Sequence, residues 1–149
     1  MTSGVRVSLR SASEADADFV YALAETTMRE YAIQQFGRWD AEKTRSSFDA
    51  KNHAIIQRDG ADIGVVATRH EPAHVFIEKL YIAPNHQNRG AGAAVLNLLA
   101  DDAERTSRGL RLSVLRVNPA RRFYERNGFV VTEVTDERYF MERLPNSRS

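Results

Sequence analysis

The chain has 149 residues, enough for one domain with a real core and little room for a second. Its 21 lysines and arginines stand against 20 aspartates and glutamates, and the resulting net charge of +1 argues against a broadly basic nucleic-acid surface. The absence of cysteine excludes disulfides, thiolate nucleophiles and cysteine-ligated zinc, and no stretch approaches the ~18 apolar residues of a membrane span.

Residues 5–10 alternate apolar and polar and predict a half-buried first strand. Ser13 or Asp16 can cap a helix whose Phe19, Ala22 and Leu23 share one face, a pattern that fades after Met28. Residues 31–40 then carry Tyr31, Phe36 and Trp39 around Gly37, and a short helix is expected over residues 41–49. His53–Arg58 and residues 63–68, joined by a turn containing Gly60, read as a hairpin, and His74–Ile82 adds a third strand. The period changes after Pro84. Residues 90–107 place Ala91, Val95, Leu98 and Leu99 at helical spacing, with Gly109 beyond them. Residues 110–117 alternate as a strand, and residues 119–126 form a short helix that opens on Pro119 and stops at Asn127-Gly128. Residues 129–135 and 138–144 close the pattern as two strands. This order predicts an α+β sandwich around a mixed, mostly antiparallel sheet flanked by helices, in a single domain over residues 1–144 with a tail at 145–149.

The segment Gln87-Asn88-Arg89-Gly90-Ala91-Gly92-Ala93 lies between a strand and a long helix. Backbone N–H groups at such a helix start lack intrahelical partners, and glycines there let a phosphate approach them along the helix dipole. Arg89 adds a fixed positive charge. A P-loop would need Lys-Ser or Lys-Thr after the glycines, and a Rossmann turn would need a third Gly or Ala where Val95 stands. A glycine turn used only for close helix packing remains open at this point.

A second segment follows one strand later, with Asn118, Ala120, Tyr124, Gly128 and Phe129 at the spacing Asn-x-Ala-x-x-x-Tyr-x-x-x-Gly-Phe. Together with Gln87, Gly90 and Gly92 at the spacing Gln-x-x-Gly-x-Gly, it resembles the GCN5-related N-acetyltransferase (GNAT) superfamily. The resemblance is strong over residues 80–129 and looser over residues 9–16. It implies a V-splayed sheet, with acetyl-CoA as acyl-donor cosubstrate and no metal. Direct transfer of the acetyl group to a primary amine of a small molecule or peptide is the implied reaction. An acyl-CoA-binding sensor without turnover is the alternative.

On this resemblance the cofactor contacts fall on the backbone of Leu80 and Ile82, on Gln87, Asn88, Arg89, Gly90, Ala91, Gly92 and Ala93, and on Asn118, Arg121 and Tyr124. Tyr124 is implied as the general acid, with a core tyrosine as the competing reading. Glu78 is the candidate general base, because alternation puts Phe76, Glu78, Leu80 and Ile82 on one strand face, with His74 also there. Its competing reading is a rim carboxylate paired with an arginine. Tyr31, Phe36 and Trp39 are candidate acceptor-pocket walls, and Glu30, Asp40, Glu42 and Asp136 can attract a cationic amine. The four histidines show no ligand spacing, so no metal site is expected. Neither a nucleic-acid nor a membrane partner is expected, a cytoplasmic location is, and a homodimer is compatible with the chain, although no feature fixes the oligomeric state.

Overall fold

The structure, a computed structural model, describes residues 6–145. Val5 and residues 146–149, which belong to the expected first strand and tail, lie outside the described residues. Seven strands form one sheet: β1 (Ser8–Ser11), β2 (His53–Arg58), β3 (Ala61–His70), β4 (His74–Ile82), β5 (Gly109–Leu115), β6 (Val130–Val134) and β7 (Arg138–Arg143). Their spatial order is β1-β2-β3-β4-β5-β7-β6, and every neighbouring pair is antiparallel except β4 with β5. Four α-helices, α1 (Ala17–Phe36), α2 (Ala41–Ser46), α3 (Ala91–Glu104) and α4 (Ala120–Arg126), complete the fold.

Strand alternation sorts the apolar side chains into two cores, one on each sheet face. Ile56, Ile63, Val66, Val75 and Ile77 meet Val95, Leu96 and Ala100 of α3 and Tyr124 of α4. On the other face, Val20 and Leu23 of α1 pack on Ile55 and Val65. Ile55, Ile56, Ile63, Leu96 and Leu110 are fully enclosed, each worth about 1.5–3 kcal/mol of apolar burial. Among the described residues, no helix is long and apolar enough to cross a membrane.

α1 runs eight residues past the point where its apolar pattern fades, and Gly37 in the left-handed region (φ 82°) then ends it, its N–H donating to the Ile33 carbonyl. No breaker stands between Met28 and Gly37, so the helix continues although it has left the core. Ile33 and Phe36 are 43% and 45% exposed. The short helix α2 is also three residues shorter than its expected span.

Two irregularities shape the centre of the sheet. β4 pairs with β5 only through His74–Gly109, Val75–Leu110 and Phe76–Arg111. Beyond Phe76 the strands part, so the predicted V is present. On its other side β4 carries a bulge: Ala67 pairs with Lys79 but Thr68 with Ile77, leaving Glu78 as the extra residue. A bulge resets the two-residue alternation. Val75 and Ile77 lie in the α3-side core before it; Leu80 and Ile82 pack against that same core after it, while Tyr81 turns to α1. The expected common face of His74, Phe76, Glu78, Leu80 and Ile82 is therefore corrected: His74 and Phe76 share one face before the bulge, and Leu80 and Ile82 share the opposite one after it.

Candidate active site

The opened V leads into a cavity of about 550 Å³. One wall is α1, through Thr27, Met28 and Tyr31; another is the unpaired end of β4, through Leu80, Tyr81 and Ile82. The turn after β4 and the first residues of α3 contribute His86, Gln87, Asn88, Gly90, Gly92 and Ala93. Asn118, Pro119, Ala120, Phe123, Tyr124, Arg126 and Asn127 close it from α4. Sequence-predicted residues from three separated segments thus meet in one space.

The turn into α3 owes its shape to two left-handed residues, Asn88 (φ 62°) and Gly90 (φ 85°). Gln87 straps it to the strand, its Nε2 donating to the Ile82 carbonyl at 2.9 Å. The first intrahelical bond is Ala94 N–H to the Gly90 carbonyl, at 3.0 Å, so the N–H groups of Ala91, Gly92 and Ala93 are free of intrahelical partners, and Gly92 and Ala93 line the cavity. Gly92 also serves helix packing: a Cβ there would lie 2.9 Å from Phe123 Cζ. The packing reading and the phosphate reading of this glycine both have a physical basis. Ala91 is 1% exposed and turns into the core, while Arg89 is exposed and outside the cavity lining.

Asn118 accepts from the Ala120 N–H through Oδ1 at 2.9 Å and so fixes the start of α4. Tyr124 is 8% exposed, edge-on to Phe123 and Phe129 with centroids 5.2 and 5.6 Å away. Burial, and then the nearby Tyr81, push its phenol far above the usual tyrosine range. Burial also raises Tyr81 to about 12, with Arg138 pulling slightly the other way. Both phenols hold their protons at neutral pH.

Several candidates stand elsewhere. Glu78 accepts from Arg69 Nη1 at 2.7 Å and from Asn52 Nδ2 at 3.3 Å, and it does not line the cavity. This is the arginine-paired rim carboxylate. Arg121 pairs with Glu125 at 3.3 Å and stacks on Tyr139 at 4.6 Å, away from the cavity. Of the three aromatic candidates only Tyr31 lines the cavity; Phe36 is exposed, and Trp39 donates to the Tyr21 hydroxyl at 3.1 Å. Asp40 caps α2 through the Lys43 N–H and pairs with Arg38. Sequence reading missed Thr27, Met28 and Tyr81, the last hidden by the bulge, whereas Arg126 belongs to an arginine-rich stretch, Arg105 to Arg126, that the sequence marks for a phosphate-rich cofactor. Among the described residues no cluster of three potential metal ligands occurs.

A profile of the acetyltransferase (GNAT) domain matches residues 49–131. No curated protein matches the sequence. Among solved structures, the chain is similar to the PaiA N-acetyltransferase of Thermoplasma acidophilum in complex with coenzyme A (17% identity, TM-score 0.73, covering 93% of this chain and 99% of that one). It is similar to the ribosomal-protein-S18-alanine N-acetyltransferase of Escherichia coli (20% identity, TM-score 0.70, 94% of each chain). A third is the N-acetylglutamate synthase of Neisseria gonorrhoeae, complexed with coenzyme A and N-acetyl-glutamate (17% identity, TM-score 0.70, 97% of this chain and 36% of that one).

Proposed function

The chain belongs to the GNAT acetyltransferase family, and from that premise we propose an acetyl-CoA-dependent N-acetyltransferase that moves an acetyl group directly to the primary amine of a small molecule or peptide. One observation carries this reading: a parted pair of strands, a glycine-opened helix start and a buried tyrosine share one cavity. The residues fit the cosubstrate. The unpaired edge of β4 around Leu80 and Ile82 offers backbone partners to an extended amide-bearing arm, as an added strand would. The free N–H groups of Ala91, Gly92 and Ala93 suit its diphosphate, with Arg126 the cavity-lining cation.

Acetyl-CoA supplies the acyl group as a thioester: a carbon–nitrogen bond to the amine forms as the carbon–sulfur bond breaks, one proton leaving nitrogen and one reaching sulfur. Tyr124 holds the proton the sulfur needs, because burial keeps its phenol protonated throughout the neutral range. Asn118 sets the start of the helix that carries it. Glu78 is given no part in removing the amine proton, since it faces Arg69 outside the cavity. The reading is tested by free-thiol release from acetyl-CoA across a panel of amines and peptides. Acceptor-dependent release supports it; tight CoA binding with no release from any acceptor would instead favour a sensor.

A further inference from the structure

β7 crosses the open end of the V on the far side of β5, where Arg138 pairs in register with Leu115. This arginine is half-buried, yet its guanidinium meets no carboxylate among the described residues; its one side-chain partner is the Ser113 hydroxyl, 3.2 Å from Nη1. Of the other strand arginines, Arg10, Arg69 and Arg111 meet carboxylates, while Arg58 donates to the His86 ring at 2.7 Å and Arg143 to the Asn127 carbonyl at 3.1 Å. A guanidinium withdrawn from water without a counter-ion is costly, and it becomes favourable when an anion completes it.

Its position is braced. Gln35 on α1 donates through Nε2 to the carbonyl of Glu137, the neighbour of Arg138, at 2.7 Å. The same side chain accepts from the Val117 N–H at 3.3 Å. One amide thus ties α1, the turn after β5 and the turn before β7 together beside the arginine. Arg138 does not itself line the cavity; the Gln35 brace sets it at the mouth, since Gln35 lies one turn of α1 beyond the lining Tyr31 and Val117 adjoins the lining Asn118. The cavity has no carboxylate among its lining residues to pair with a polycation.

We propose that Arg138, held by Ser113, binds a carboxylate on the acceptor, so that the amine acetylated belongs to an amino-acid-like molecule with its carboxylate near the amino nitrogen. This rests on the acetyltransferase reading and deepens it. An acidic side chain beside the terminal amine of a peptide offers the same chemistry, and the test separates the two sources.

The experiment measures free-thiol release with matched acceptors: phenylalanine, phenylalaninamide and phenethylamine; lysine and cadaverine; and a short peptide with aspartate or asparagine in second place. The wild-type enzyme should favour the carboxylate member of each small-molecule set by at least about tenfold in kcat/KM, as expected of a site built to pair a substrate group. A matching preference confined to the aspartyl peptide assigns the carboxylate to a peptide. Arg138→Gln should erase the preference by raising KM for the carboxylate acceptor, with kcat changing far less, and Arg138→Lys should restore part of it. Retained acetyl-CoA affinity certifies that the variants are folded. Equal or better use of phenethylamine or cadaverine, or a preference untouched in Arg138→Gln, overturns the inference while leaving the acetyltransferase reading intact. Transfer to no amine at all overturns both.

Discussion

The Tyr124 ring meets Phe123 and Phe129 edge-on and is only 8% exposed, so little water reaches it to stabilise a phenolate. The sign of the shift matters for its role. A general acid works in its protonated form and is lost as pH rises through its pKa, which burial places above the ordinary value near 10. The kcat profile should therefore show no falling limb from this residue below about pH 10. Tyr124→Phe should lower kcat by roughly 10²-fold or more while acetyl-CoA affinity, measured by calorimetry, changes little; unchanged turnover would remove its acid role. Glu78→Gln makes the opposite case. With its carboxylate committed to Arg69, the substitution should leave the acid limb of the pH–rate profile in place, and a displaced limb would return Glu78 to the chemistry. Alternation and the family resemblance together pointed to Glu78, and a bulge leaves no mark in hydrophobic periodicity to warn against it.

At the level of elements, the site depends on how β3 and β4 approach each other. Gly64 on β3 sits opposite Ile82, and a Cβ there would collide with the Tyr81 carbonyl oxygen. Backbone cannot swing aside as a side-chain end can. Gly64→Val should cost about 1–3 kcal/mol in urea unfolding and weaken acetyl-CoA binding as well, because the strand that moves is the cavity wall. Full stability in this variant would show that β4 has slack. The α3–α4 contact is softer: the atom facing Gly92 is the tip of the Phe123 ring, which can turn. The helices α3 and α4, the hairpin and the third strand were legible from period and punctuation to within a few residues. The second half of α1 was not, because helix length there follows from Gly37, while apolar periodicity reports only the half that meets the core.

Across the whole molecule, the arginine-rich stretch from Arg105 to Arg126 suggests a phosphate-binding surface, but most of it is spent within the fold. Arg105 pairs with Asp102, Arg111 with Glu142 and Arg121 with Glu125, while Arg116 lies over Tyr139; Arg126 alone of them lines the cavity. Stability is tied to pH through two histidines instead, His53, which is buried, and His74, which is half-buried. The His53 ring is 4% exposed; Nδ1–H points to the Asp49 carbonyl and Asn52 Oδ1, and Nε2 accepts from Lys79. Burial and then Lys79 lower its pKa, and burial and Arg111 lower that of His74. For such groups the unfolded chain binds the proton more readily, so stability is full above about pH 6.5 and falls as pH drops below it. Urea unfolding at pH 8 and pH 5 should show this loss, and His53→Gln should reduce the difference between the two.

The sequence by itself determined the element order, the mixed sheet and the two motifs that meet at the cavity, since each is encoded by local spacing: glycines at a helix start, and a tyrosine at a fixed distance from an asparagine. The tertiary structure alone decided which charged groups are already answered. Whether Glu78, Arg121 or Arg138 is free to act depends on partners as far away in sequence as Arg69 and Ser113 or as near as Glu125. Spacing along a chain does not show whether such a partner has been met. That is settled by register across the sheet, where one bulged residue turns Glu78 out to Arg69 and brings Tyr81 into the wall.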